Sequence, residues 1–262
     1  MQLPSIYDVL LLVLPALALI LSWVHHARVS RGHVPSLRPL NGVAAFEKRA
    51  DEIAEVGLPI HVATGASEPG ATGPTAASLA SLVITQRIAE AVIRRGGSVI
   101  ATTGDIVSLA AVRGSLRQAY RETGFAADYR GSNVHLVAHQ APIPYAAGVT
   151  QRYAVESMDM SVVVGDYGAE ALLIGEEGAR RRLPQISGAV TLSALPALTL
   201  STDATLIGEE LFALEAYLTP NEASKARLVT QDTLRGVIVL LIVAGIVYQA
   251  LNIGLQLNLP SL

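Results

Sequence analysis

The segment with the clearest potential for ligand chemistry is a small-residue loop in the first third of the chain. Residues 65–74 read GASEPGATGP, between the apolar run 58–64 and a helical pattern that begins at Thr75. A strand, a glycine-rich loop and a helix N-terminus together present free backbone N–H groups to an anion. The loop is neither G-x-G-x-x-G nor a Walker A motif, and Glu68 would repel phosphate, so a plain connection remains an open alternative to a nucleotide or anion site. The candidate ligand residues are Thr64, Gly65, Ser67, Gly70, Thr72, Gly73 and Thr75.

Polar residues also end two other apolar runs. Thr103, Gly104 and Asp105 close the run 98–103, and Asp166 follows the run 160–165. Ligands of open parallel sheets bind beyond the carboxyl ends of the strands, so these four residues complete the candidate ligand set. Asp105 also suits a helix N-cap. Capping, and a carboxylate pair with Asp166 for metal or acid–base chemistry, both stay open. Their positions in the sequence do not show that Asp105 and Asp166 lie close together, and we predict no metal site.

The remaining titratable residues form no catalytic pattern. His61, His135 and His139 fall in predicted strands. His135 and His139, four residues apart on one strand face, would lie about 13 Å apart, too far to bind one metal by themselves. No Ser–His–Asp set, nucleophile elbow or H-E-x-x-H helix occurs. The lack of cysteine excludes disulfides, thiolate catalysis and Cys-ligated metals. The sequence therefore favours a non-enzymatic role and predicts no cofactor.

Two uncharged apolar segments near the ends of the chain predict transmembrane helices. They are 9–24, VLLLVLPALALILSWV, and 236–255, GVIVLLIVAGIVYQALNIGL. With its flanks, each approaches the 20 or so residues that cross a bilayer. A cleaved signal peptide is the alternative for the first, but no Lys or Arg precedes it and HHARVS is no A-x-A site. A buried core helix is the alternative for the second.

The cations beside these segments predict an orientation. Arg28, Arg31 and Arg38 follow the first segment, and Lys225, Arg227 and Arg235 precede the second, whereas the outer flanks carry no Lys or Arg. By the positive-inside rule both segments place the central part of the chain in the cytoplasm. The predicted location is the cell inner membrane, in two passes, with both termini outside. The lipid bilayer is thus a predicted partner.

The central part alternates apolar runs with helical patterns. Strands of about five apolar residues joined by helices imply βαβ crossovers, so we predict an α/β fold: a doubly wound, Rossmann-like, mostly parallel sheet, flanked by two transmembrane helices. The predicted domains are 1–24, the first transmembrane helix; 25–57, a juxtamembrane linker and helix; 58–220, a cytoplasmic α/β domain; and 221–262, a helix running into the second transmembrane helix. Predicted strands are 58–64, 98–103, 133–139, 160–165, 171–174 and 197–201, with helices at 43–57, 75–95, 106–123, 145–158 and 206–218 and a charged turn at 175–182.

Three stretches of this pattern carry a family resemblance. HVATGASEPGATGPTAASLASLV, GSVIATTGD and VVVGDYGAEALLIGEEG, set between terminal apolar segments, resemble an uncharacterised family of prokaryotic membrane proteins with terminal membrane helices, a domain of unknown function. The resemblance covers most of the chain. It implies the membrane-anchored architecture and implies no activity, cofactor or site residue.

Two functions from different classes follow from the sequence. The first is a membrane-anchored oligomeric scaffold or accessory protein, because catalytic motifs are absent and two anchors confine the chain to a plane where it can assemble. Gln249 and Asn252, three residues apart in the second apolar segment, would favour pairing with another helix. The second is a membrane-tethered sensor that binds a nucleotide or other small anion at the 64–75 loop. A homo-oligomer and contacts with other membrane proteins are predicted, whereas the net charge of −3 argues against nucleic acid.

Overall fold

The computed structural model describes residues 6–32, 39–67, 75–219 and 221–254. The chain divides into two compact units. One is the α/β unit, Arg38–Thr219, and the other combines the segments that precede and follow it. Of the candidate site residues, Gly70, Thr72 and Gly73 lie outside the described residues.

Helices and strands alternate along the α/β unit. Its helices are α2 (Asn41–Val56), α3 (Thr75–Arg94), α4 (Ile106–Glu122), α5 (Pro142–Val155), α6 (Ala171–Arg181), α7 (Leu195–Ser201) and α8 (Glu209–Leu218), numbered after α1 (Ile6–Val29) of the other unit. Its strands are β1 (Ile60–Gly65), β2 (Val99–Thr103), β3 (Val134–Leu136), β4 (Met160–Asp166), β5 (Gln185–Ala189) and β6 (Ala204–Ile207). Short 3₁₀ turns at Ala126–Asp128 and Gly131–Asn133 lead into β3.

The six strands form one sheet in the order β3-β2-β1-β4-β5-β6. Every neighbouring pair is parallel. This order is the Rossmann arrangement, with the direction of winding reversing between β1 and β4. The predicted α/β fold is confirmed. The sheet is entirely parallel where the prediction was mostly parallel.

Helices cover both faces of the sheet, as buried parallel strands require. Side chains of α2, α3, α4 and α8 form the larger apolar core with one face. Side chains of α5, α6 and α7 form a second core with the other, and three tyrosines belong to it: Tyr145, Tyr153 and Tyr167. The carboxyl ends of the strands are left for the connecting loops.

Several predicted elements are wrong in type or extent. Residues 171–174 and the charged segment 175–182, predicted as a strand and a turn, belong to α6 and its C-cap, because Ala171, Ile174, Gly175 and Gly178 are buried at helical spacing. Residues 197–201, predicted as a strand, lie in α7. The fifth and sixth strands are instead Gln185–Ala189 and Ala204–Ile207, and the helix predicted from 206 begins at 209. The third strand ends at Leu136, so His139 lies beyond it and shares no strand face with His135.

The terminal unit contains α1 and α9, the latter running from Glu222 to Gly254. The two helices contact each other, and His25 Nδ1 lies 3.0 Å from the hydroxyl of Thr230 in a buried pair. The hydroxyl of Ser30 donates to Glu222 at 2.6 Å. These contacts join the end of α1 to the start of α9.

Two helices of the described residues, α3 and α9, are long and apolar enough to span a membrane. They differ in burial: 56% of the apolar window of α3 is buried against the sheet, so α3 is a core helix, whereas none of that of α9 is buried. The first predicted span corresponds to α1, a helix of 24 residues whose Leu12, Leu19 and Trp23 are exposed. That α1 crosses a membrane stays a prediction.

Candidate functional site

Glycines allow the backbones of β1 and β4 to meet closely where the sheet reverses its winding. Gly65 has φ +90°, and a Cβ there would lie 2.6 Å from the carbonyl oxygen of Asp166. Gly165 has φ +144°, and its Cβ would lie 2.3 Å from the carbonyl oxygen of Thr64. Both conformations favour glycine, and neither site has room for a side chain. The register of the β1–β4 pair shifts here as well. We call the space above these two strand ends the switch-point crevice.

The loop after β2 packs against the same strand ends. A Cβ on Gly104 would lie 2.7 Å from Cα of Ala66, and the amide of Gly104 donates to the carbonyl of Gly65 at 2.9 Å. Three strand ends therefore converge through backbone contacts. Thr64, Gly65, Thr103, Gly104 and Asp166 are brought together at this edge, as the parallel topology requires.

Asp166 places a charged group in the crevice. Its carboxylate is half-buried and accepts a hydrogen bond from Ser67 at 2.6 Å and another from Thr191 at 3.1 Å. Each carboxylate oxygen can accept two hydrogen bonds, so each keeps capacity for a ligand donor. Thr191 was not among the predicted site residues. It follows β5, a strand that the sequence analysis missed.

Asp105 has a different task. It is buried, and its carboxylate accepts the backbone N–H of Ser108 at 2.8 Å, which makes it the N-cap of α4. Its other oxygen lies 3.9 Å from Nδ1 of His139. Capping, one of the two roles left open, is thus what the structure shows. Within the described part of the chain no group of three or more His, Asp or Glu side chains could hold a metal ion.

Of the other predicted residues, Thr64 donates its hydroxyl to the carbonyl of Thr102 at 3.2 Å. Thr103 is fully buried, and its hydroxyl has no hydrogen-bond partner among the described residues. Thr75 is the first residue of α3. The structure thus provides the strand ends and the helix start on either side of the 68–74 segment.

Comparison with known families places the chain in a family but assigns no role to these residues. A family model described as a domain of unknown function, DUF6754, matches residues 5–259. The chain belongs to this family. The resemblance to an uncharacterised family, a domain of unknown function, is confirmed, and it assigns no activity. Comparison with curated proteins and with solved structures gives no match.

A buried tyrosine, Tyr145, is hydrogen-bonded to the end of β1 at the crevice. The amide of Gly65 donates to the hydroxyl of Tyr145 at 3.2 Å, and that hydroxyl can donate to the carbonyl of Thr102, also at 3.2 Å. Burial raises the pKa of Tyr145, so the group stays a neutral phenol. Sequence reasoning missed this residue, because its contact with Gly65 spans 80 positions of the chain.

The same tyrosine begins a chain of polar contacts through the centre of the sheet. Its hydroxyl lies 3.3 Å from the hydroxyl of Thr102, which lies 3.0 Å from Nε2 of His61. Nδ1 of His61 lies 2.9 Å from Ser161, whose hydroxyl lies 2.6 Å from that of Tyr153. His61 is fully buried, and burial, with a smaller effect from Arg152, lowers its pKa to about 3. It is therefore a neutral, hydrogen-bonded core residue at physiological pH.

Proposed function

We propose that the protein is a membrane-anchored sensor that binds a nucleotide in the switch-point crevice. The observation that carries the proposal is the convergence of Gly65, Gly165 and Asp166 at the point where the sheet reverses its winding. In open α/β sheets this is the place where ligands bind. Glycines at the ends of β1 and β4 let the two backbones approach each other closely, and Asp166 lies beside them with Ser67 and Thr191.

The charge of Asp166 indicates how the nucleotide is oriented. A carboxylate repels phosphate and accepts hydrogen bonds from hydroxyl groups. Asp166 is already fixed by Ser67 and Thr191, so its remaining capacity is directed by two hydrogen bonds. We place the ribose hydroxyls at Asp166 and the phosphate toward the start of α3, where the helix dipole is favourable.

The binding test is a titration of the detergent-solubilised full-length protein with ribonucleoside monophosphates, their 2′,3′-dideoxy analogues and inorganic phosphate, by calorimetry. One ribonucleotide should bind, and its dideoxy analogue should bind about tenfold more weakly, the loss expected for hydrogen bonds to a charged acceptor. The absence of binding by every ribonucleotide would contradict the proposal.

The anchor is part of the same proposal. The exposed apolar surface of α9 and the basic residues in its first half support a helix that spans the inner membrane. With α1 as the second span, both termini lie outside and the α/β unit is cytoplasmic. The chain has no cysteine, so Ser115→Cys and Ser261→Cys each create a single label site. In intact cells a membrane-impermeant maleimide should label only position 261, and labelling of position 115 would reverse the orientation.

The oligomeric scaffold stays a second prediction from the sequence. It differs from the sensor in what it requires: a defined assembly and no ligand. Native mass spectrometry of the detergent-solubilised protein separates the two functions. A large uniform oligomer that binds none of the nucleotides favours the scaffold, whereas a nucleotide adduct favours the sensor.

A further inference from the structure

A second candidate binding region lies at the amino ends of β4 and β5, the opposite edge of the sheet from the crevice. Two cavities of about 550 and 510 Å³ open there, and both are lined by Arg49, Arg182, Leu183 and Pro184. The larger also contacts Lys48 and the residues that begin β5. We call this region, defined by Lys48, Arg49 and Arg182, the basic groove.

Helix α2 delivers two of the three cations. Ala45, Lys48 and Arg49 all line the larger cavity, at the i, i+3 and i+4 spacing that puts residues on one helix face. The neighbouring face of α2 is buried in the core through Phe46, Ala50 and Ile53. The helix is therefore held by its apolar face while its basic residues line the groove.

Arg182 reaches the groove in a conformation that its side chain disfavours. It caps α6 in the left-handed region, with φ +57°, and its amide donates to the carbonyl of Ala179 at 3.1 Å. The amide of Leu183 donates to Gly178 at 3.0 Å, which completes the helix end. Glycine is the usual residue at such a position, because any Cβ is crowded there. An arginine held in this conformation points to a role for its guanidinium group.

The groove carries an excess of positive charge. Lys48 and Arg182 are exposed and have no ion-pair partner within the described part of the chain. Arg49 lies 3.5 Å from Asp159, a buried carboxylate, and 4.0 Å from Glu52. The larger cavity sets these three cations against one carboxylate, Asp203, which accepts the backbone N–H of Gln185 at 2.7 Å. The smaller cavity is lined by three arginines, since Arg181 joins Arg49 and Arg182, and by two carboxylates, Glu156 and Asp159.

We infer that the basic groove binds a phosphate-bearing ligand. Arginine and lysine are the side chains that recognise phosphate, and a volume near 500 Å³ accommodates a small molecule or a lipid headgroup. Both a soluble phosphate and an anionic lipid offer this chemistry. The site is separate from the switch-point crevice and does not depend on the proposed sensor function.

The test uses the detergent-solubilised full-length protein and three probes: inorganic pyrophosphate, dioctanoyl phosphatidylglycerol and dioctanoyl phosphatidylcholine. Native mass spectrometry titrations give the affinity of each. We expect pyrophosphate or phosphatidylglycerol to bind more tightly than phosphatidylcholine. Arg182→Gly should weaken that binding about tenfold or more, because it removes charge-assisted hydrogen bonds. The variant should fold normally, since glycine suits the left-handed position.

Two controls make the result specific. Arg180→Gln removes the same charge two residues earlier, at a side chain that pairs with Glu177 and lines neither cavity, so it should leave the affinity unchanged. Asp128→Asn, at an exposed acid that lines neither cavity, should also have no effect. Binding of pyrophosphate identifies a soluble phosphate as the ligand class, and binding of phosphatidylglycerol alone identifies a lipid. The inference is overturned if neither probe binds or if Arg182→Gly binds as tightly as the wild type.

Discussion

The two edges of the sheet present different chemical groups. At the carboxyl edge, glycines at the ends of β1 and β4 bring backbones within contact, and the carboxylate of Asp166 lies among hydroxyl groups. At the amino edge, α2 and the end of α6 surround cavities with arginine and lysine. The carboxyl edge offers a carboxylate that accepts hydrogen bonds, and the amino edge offers long cationic side chains. We therefore propose chemically different contacts at the two edges: hydroxyl donors at Asp166 and phosphate at the basic groove.

The largest expected effect tests the close backbone approach at the carboxyl edge. Gly165→Ala would place a Cβ 2.3 Å from the carbonyl of Thr64, at a φ of +144°. We expect a loss of about 3 kcal/mol or more in the free energy of unfolding. Gly114→Ala is the matched control, because that glycine lies in α4 with nothing within 4 Å, and alanine there should stabilise by about 1 kcal/mol. Circular dichroism melts of the solubilised proteins show whether each variant is less or more stable than the wild type. An unchanged melting temperature for Gly165→Ala would contradict the close backbone contact at Gly165.

The buried polar chain between the two edges predicts a pH dependence. The pKa of His61 is about 3 in the folded protein against 6.5 for an unperturbed histidine, so the unfolded chain binds an extra proton between these values. The contribution of His61 is complete above pH 6.5 and is lost as the pH falls, by about 1.4 kcal/mol per pH unit, or about 2 kcal/mol at pH 5.

His61→Gln isolates this contribution. Glutamine cannot titrate, so the difference in slope between the two proteins belongs to His61 alone, free of the opposite effect of Asp159, whose pKa burial raises. Stability should be measured by thermal melts from pH 7 to pH 4.5. Parallel slopes for the two proteins would contradict a neutral buried histidine.

A smaller effect is expected from the tyrosine beneath the crevice. Tyr145→Phe removes the acceptor of the Gly65 amide while keeping the ring in the core. A buried N–H left without a partner costs about 1–3 kcal/mol. Tyr153→Phe is the comparison, since Tyr153 contacts Ser161 in the same polar chain and makes no bond to Gly65. Hydrogen exchange should accelerate at the Gly65 amide in Tyr145→Phe only. Equal exchange in both variants would contradict a hydrogen bond from the Gly65 amide to Tyr145.

The smallest expected effect belongs to the amino edge. Arg182→Gly relieves a left-handed conformation at φ +57° and should raise the free energy of unfolding by about 1 kcal/mol. The same substitution in the basic groove is expected to weaken ligand binding, so stability and binding would change in opposite directions. A lower melting temperature would show that the arginine contributes to the fold itself.

The strands themselves could be predicted only in part from the sequence. β1, β2 and β4 are apolar, β-branched runs that predict strands directly. β5 reads QISGA, and its Gln185 and Ser187 are polar but fully buried because they bond within the core. Missing β5 also hid Thr191. In α6, Gly175 and Gly178 suggest a turn, yet both are helical. They are glycines because Ser201 and Gln185 pack where a side chain would otherwise lie.

The site was predictable to the extent that it depends on strand ends. Residues at the ends of parallel strands must share an edge, so the placement of Gly65, Gly104 and Asp166 at one edge could be predicted from their positions alone. The roles of Tyr145 and Thr191 depend on contacts across 80 and 25 residues, which no local pattern contains.

The most direct test of the account is the affinity of Asp166→Asn for the ribonucleotide that the wild type binds. The variant keeps the shape of the side chain and removes the charge to which we assign the ribose hydroxyls. We predict binding weaker by about tenfold or more, with Asp128→Asn, an exposed acid outside the crevice, unchanged. Equal or tighter binding by Asp166→Asn would contradict a ribose at Asp166, and with it the proposed orientation in the switch-point crevice.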